Sequence, residues 1–146
     1  MVNFIYAILI LLRVVSIDPE FLIGSWEITK SQSLENLVLS SAYQYSDEDL
    51  KERINRLSKL ALDSTYYRFT EDSVFWSDVN QHEEKVVHLK GRWLLKGDTV
   101  FIFKPGRVEP FSYKIEKKSN DILSLRFIFP DGKIAKSRRD FQRTSN

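Results

Sequence analysis

The stretch Leu22-Ile23-Gly24-Ser25-Trp26-Glu27-Ile28-Thr29 decides the fold. It is a Gly-x-Trp opening to a first strand, expected over Ile23–Lys30. Glycine lets the chain bend or another segment approach closely. Side chains alternate along a strand, so Trp26 shares a face with Gly24. A large ring on the inner face near a strand's start suits the plug of a closed sheet. Gly24 and Trp26 are therefore expected to close one end of a barrel.

Working outward, everything after about Thr65 has a period of two. Strands are expected near 65–70, 73–79, 85–95, 98–104, 111–118, 121–129 and 133–143. Glu71-Asp72, Gly97-Asp98, Ser119-Asn120-Asp121 and Pro130-Asp131-Gly132 punctuate them. With the first strand this makes an all-β, eight-stranded antiparallel up-and-down barrel, whose closure removes exposed edges. Gly91 marks a bend in the long fourth strand. Alternation puts Tyr67, Phe69, Trp93, Leu95, Phe111, Tyr113, Ile115, Leu123, Leu125, Phe127 and Phe129 inside. Ser112, Lys114, Glu116, Ser124 and Arg126 are left for water.

Between the first two strands the period is helical. Leu34, Leu37 and Val38 predict a helix over Ser33–Tyr43. A second is expected over Ser46–Asp63, with Ser46 and Asp49 as a capping box and an apolar stripe of Leu50, Ile54, Leu57 and Ala61. Asp49–Arg53 and Glu52–Arg56 are spaced as i,i+4 ion pairs.

The 146 residues suit one domain, and nineteen aromatics supply a substantial core. Net charge is only +2, which singles out neither nucleic acid nor membrane. The distribution is uneven: residues 18–84 sum to −8 and residues 85–146 to +9. Mutual attraction between strands accounts for this, or steering of an anionic ligand to the later strands. There is no cysteine, which excludes disulfides, thiolate metal sites and a cysteine nucleophile. Phe4–Leu12 is an apolar run too short to span a bilayer and suited to a secretory signal. Residues 1–17 are read as that signal or as an apolar N-terminal segment, with Asp18-Pro19 as the joint to a barrel domain over 18–146. Export to the periplasm or cell exterior follows, with no stable membrane anchor once the segment is cut.

Tyr67-Arg68-Phe69-Thr70, Gly91-Arg92-Trp93 and Gly97-Asp98-Thr99-Val100, together with Gly24-Ser25-Trp26, resemble the lipocalin-like (calycin) family, in particular its short bacterial domains. The likeness covers about residues 21–143. It implies a barrel that holds a small apolar molecule, and a late arginine across the first-strand tryptophan, a role open to Arg143 or Arg139. The helical insert is similar in place to the lid of fatty-acid-binding proteins. Arg139-Asp140-Phe141-Gln142-Arg143 resembles their Arg-x-Tyr ending, with Phe141 in place of the tyrosine.

The residues themselves leave two readings of the inner face. Arg139 shares a face with Phe141, and an inward charge needs a partner: a ligand carboxylate, an internal acid, or water at the barrel mouth. Tyr67, Phe69, Trp93, Tyr113 and Phe127 either line a cavity or fill it. His82 sits in a polar turn, and His88 alone is slight support for a haem ligand. No phosphate loop or nucleophile motif is present, and no cofactor is expected. Lys133, Lys136, Arg138, Arg139 and Arg143 make the last strand basic, but the aromatics read as core, so nucleic acid is not expected. The expectation is a monomeric, non-catalytic binder of a small hydrophobic or amphipathic, fatty-acid-like ligand. The alternative is a filled barrel serving as an interaction or structural module.

Overall fold

The structure, a computed structural model, describes residues 16–144. The apolar run Phe4–Leu12 expected as a signal lies outside them. A short helix α1 (Pro19–Leu22) leads into β1 (Gly24–Ser31). Three helices follow, α2 (Gln32–Leu39), α3 (Ser41–Gln44) and α4 (Glu48–Ser64). Seven strands complete the chain: β2 (Tyr66–Phe69), β3 (Ser73–Asn80), β4 (Lys85–Lys96), β5 (Thr99–Phe103), β6 (Phe111–Lys117), β7 (Ile122–Ile128) and β8 (Arg139–Thr144). Each pairs antiparallel with the next, and β8 returns to β1, closing an up-and-down barrel with the helices between β1 and β2.

One end is sealed by the residues that open the domain. Asp18 caps α1 by accepting from the Glu20 amide, and Pro19 occupies the first turn, where its missing donor costs nothing. That turn lays Phe21 and Leu22 against Trp26, whose indole N–H donates to the Leu22 carbonyl at 2.9 Å. Ile17 is buried in the same cluster and donates its amide to the Gly97 carbonyl. Arg143 lies 4.2 Å over the Trp26 ring and donates to the Ile23 and Phe21 carbonyls. Gly24 has φ +124°, and a Cβ there would stand 2.8 Å from the Arg143 guanidinium. Glycine is required both by the backbone and by the arginine. Of the two arginines open to this position, Arg143 takes it.

Several local expectations are corrected. The helix expected over Ser33–Tyr43 is broken at Ser40, whose hydroxyl accepts from the Tyr43 amide and starts α3. The cap of α4 is Asp47, not Ser46: the Asp47 carboxylate accepts from the Leu50 amide, while the Ser46 hydroxyl donates back to the Ala42 carbonyl. Arg53 and Arg56 pair with Glu84 in the β3–β4 turn, not with acids one turn away on α4. A tertiary partner, holding α4 to the sheet, wins over the local ones. The last strand is shorter than the expected 133–143. After the Asp131-Gly132 turn, residues 133–138 run beside the end of β7 without forming a strand, tied by Ala135 N–H to the Phe127 carbonyl and by a single bridge from Ile134 to Ile128. The side chain of Ser124, expected in water, is buried and donates to Asp140. Phe129, expected inside, lies past the end of β7 and is 47% exposed.

The core fills the sealed end and middle of the barrel. Trp26, Phe141, Leu22, Ile102, Leu123, Val74 and Val100 have almost no exposed surface. The open end lies where β1 stops and the helices begin.

Candidate functional site

Alternation along β8 sends Phe141 and Arg143 into the barrel, and Arg139 with them. The Arg139 backbone is held at the mouth by pairing with Ser31 of β1 and Leu125 of β7. The flanking Arg138 and Asp140 form an ion pair, Arg138 Nε lying 3.3 Å from Asp140 without a hydrogen bond, and Asp140 also accepts from Ser124. Arg139 has no such partner. Among the described residues no carboxylate stands within ion-pair distance of it.

Its surroundings are phenolic. The guanidinium carbon lies 5.5 Å from the Tyr113 ring centre, and the Tyr67 and Tyr113 rings are 6.4 Å apart. The Tyr67 phenol, more than any other neighbour, holds the Arg139 pKa above its ordinary value, against the opposing effect of burial. Burial pushes the Tyr113 phenol well above the usual tyrosine range. Arg139 is therefore a fixed cation flanked by a hydroxyl that stays protonated.

Two spaces meet at this residue. An inner chamber of about 110 Å³ is lined by Tyr67, Trp76, Ser77, Asp78, Tyr113 and Arg139, among others. A cleft of about 330 Å³ lies between the mouth and the helices, walled by Ile28, Leu34, Leu37, Ile54, Leu57 and Ala61. Asp78 and Arg139 line both. Ligand pockets usually measure roughly 300–1,000 Å³. The chamber is too small for a drug-sized molecule, and the cleft reaches the lower end of that range. Ile54, Leu57 and Ala61 of the apolar stripe expected on α4 face this cleft, while Leu50 at its start is exposed.

The residues singled out from the sequence divide into three groups. Arg139, Tyr67 and Tyr113 come together on the chamber. Phe69, Trp93, Phe127 and Phe141 pack into the core and line neither space. Phe69 meets Trp93 edge to face at 5.3 Å, Tyr113 meets Phe127 at 5.6 Å and Tyr67 meets Phe141 at 5.4 Å. The Trp93 indole N–H is spent on the Thr70 carbonyl at 2.8 Å. Gly24, Trp26 and Arg143 form the seal at the far end. His88 stands on the outer wall, 3.1 Å from the Tyr66 hydroxyl, and His82 sits in the turn where its amide donates to Asn80.

Asp78 was not singled out. It shares the parity of Trp76 on β3 but is exposed, and its carboxylate accepts from the Val79 amide. The alternation after Trp76 could have found it.

No family model matches the chain, and no curated protein matches it. Among solved structures, it is similar to a lipocalin-like protein from Bacteroides uniformis, with a TM-score of 0.49 and 17% identity, over 85% of this chain and 99% of that one. The closed eight-stranded up-and-down meander with a helical insert after its first strand is the architecture expected from the sequence, one that lipocalin barrels share.

Proposed function

We propose that this lipocalin-like barrel is a non-catalytic carrier of a small amphipathic anion, held across its mouth. The observation that supports it most is Arg139, an inward guanidinium without a carboxylate partner, placed where the chamber and the cleft meet. A carboxylate head group pairs with its fork of donors, helped by a phenol hydroxyl. The apolar tail lies in the cleft against Leu34, Leu37, Ile54 and Leu57, because the barrel below the chamber is filled. Asp78 sets a limit: it lines the same two spaces as Arg139, beyond ion-pair distance, and its charge disfavours a second anionic group and suits a monoanion. The protein is proposed to work as an exported monomer. That filled interior equally favours the second reading, a barrel that acts through its outer surface.

Titration with dodecanoate and with dodecanol tests the proposal. Arg139→Gln is expected to weaken dodecanoate by about 1.5–3 kcal/mol, the scale of hydrogen bonds to charged groups, and to leave dodecanol almost unchanged. Asp78→Asn is expected to tighten dodecanoate by removing a repulsion. Equal loss for both ligands on Arg139→Gln, or no binding of either up to solubility, contradicts the carrier reading.

A further inference from the structure

The barrel wall has a notch. Strand β4 pairs with β3 along Lys85–Arg92, but with β5 only along Arg92–Lys96. Gly91 marks the separation. A Cβ there would lie 2.2 Å from the Phe103 carbonyl oxygen, so the two strands cross at a distance only glycine permits. Above it β5 ends, and the chain leaves through Lys104-Pro105-Gly106-Arg107-Val108 to the start of β6. On that side the backbone of Lys85–Lys90 has no strand partner among the described residues. In an antiparallel ladder every second residue then turns its N–H and C=O outward.

This edge is held in place from behind. Arg53 and Arg56 of α4 grip Glu84, and Arg53 also donates to the Gln81 carbonyl, so the tip of the β3–β4 hairpin is fixed to the helix. The lower end of the edge opens on a groove of about 790 Å³ between Lys90-Gly91-Arg92 and the 103–108 segment. Its charged lining is Lys90, Arg92, Lys104 and Arg107 against the single carboxylate of Asp72. None of those four cations has a carboxylate within ion-pair distance among the described residues. Lysines on an edge strand commonly discourage pairing. Here the positive charge also lines the opposite bank, on Lys104 and Arg107, with Val108 99% exposed beside them. Protection of an edge does not call for a second charged wall.

We propose that Lys85–Lys90 is a docking edge that takes an acidic peptide as an added strand, its carboxylates facing the Lys90, Arg92, Lys104 and Arg107 groove. Backbone pairing supplies the geometry and the groove supplies the choice of charge. A second copy of the chain is disfavoured as occupant, because antiparallel self-pairing sets the basic edges and grooves against each other. The inference does not depend on whether Arg139 holds an anion.

The test uses the full chain and a labelled eight-residue peptide alternating valine and glutamate. Two controls are its lysine counterpart and an acidic copy N-methylated at its third and sixth residues, which blocks both of its edges. The acidic peptide is expected to bind, and to slow amide exchange at alternate residues of Lys85–Lys90 at least tenfold. The N-methylated copy is expected to lose at least tenfold in affinity, and the lysine peptide not to bind. Arg92→Glu with Lys104→Glu, an exposed and a half-buried position outside the core, is expected to weaken the acidic peptide at least tenfold with an unchanged circular dichroism spectrum. The proposal is overturned by no binding of the acidic peptide, by equal binding of the N-methylated or lysine peptide, or by binding without slower exchange at this edge. Protection of the edge by self-association, or by a single-stranded oligonucleotide in place of the peptide, overturns it as well.

Discussion

At the scale of single residues, Trp26 carries the sealed end of the barrel. It is fully buried, stacked under Arg143 and packed at 5.3 Å against Phe21, with its one polar atom satisfied by Leu22. Trp26→Ala is expected to cost about 3–5 kcal/mol in chemical denaturation, the loss usual for a buried large aromatic. A midpoint that hardly moves contradicts the plug. Gly24 and Trp26 were legible by spacing and residue type, whereas the late arginine followed only from the family resemblance, which left Arg143 and Arg139 open until the packing chose Arg143. Arg139 was legible as an inward charge through its parity with Phe141. Asp78 does not stand out in this way, because β3 ends in polar residues and only its apolar face shows the alternation. The filling aromatics were legible as inward, but alternation does not say whether an inward ring lines a space or closes it. Packing between distant strands decides that, and it placed Phe69, Trp93, Phe127 and Phe141 in the core.

At the scale of elements, the helices are fastened at the mouth by a few named groups. Ser77 donates its hydroxyl to the Ser64 carbonyl at 2.6 Å and accepts from the Tyr66 amide, tying the end of α4 to β3. Glu84, 28 residues from Arg56, holds the middle of the helix. Sequence reading assigned Arg53 and Arg56 to acids on their own helix, because only local partners are visible there. The notch beside β4 was visible only as the bend at Gly91: Lys85–Leu95 reads as one strand, and its sequence does not tell that the neighbouring strand stops there. The hydrogen bond from Arg56 holds the Glu84 carboxyl below the usual glutamate range. A lowered folded pKa means stability that is present above the ordinary glutamate pKa and lost as pH falls through the folded value. Glu84→Gln is expected to speed amide exchange in α4 and in residues 80–85 at neutral pH, and to match the parent protein once acid has protonated Glu84. Unchanged exchange at neutral pH contradicts the clamp.

At the scale of the whole molecule, the barrel is a packed body with its inner chamber and an inward arginine without an ion-pair partner at one end. That arrangement affects its response to alkali. Burial, with Tyr67 close by, raises the Tyr113 pKa in the folded state, so the unfolded chain releases this proton first. The contribution is fully present below the unfolded tyrosine pKa of about 10 and is lost as pH rises toward the folded value. Above pH ~10 the parent protein is expected to lose about 1.4 kcal/mol per pH unit more than Tyr113→Phe does, read by urea denaturation. Parallel curves contradict a buried, protonated phenol beside Arg139. The central claim is that an amphipathic anion lies across the mouth, its head at Arg139 and its tail beneath the helices. Intermolecular nuclear Overhauser effects between dodecanoate and the labelled protein test it most directly. The account expects tail contacts to the methyls of Leu34, Leu37, Ile54 and Leu57, with a shift of the Arg139 guanidinium signal. Contacts to Val74 and Leu123 deep in the barrel, or none at all, contradict it.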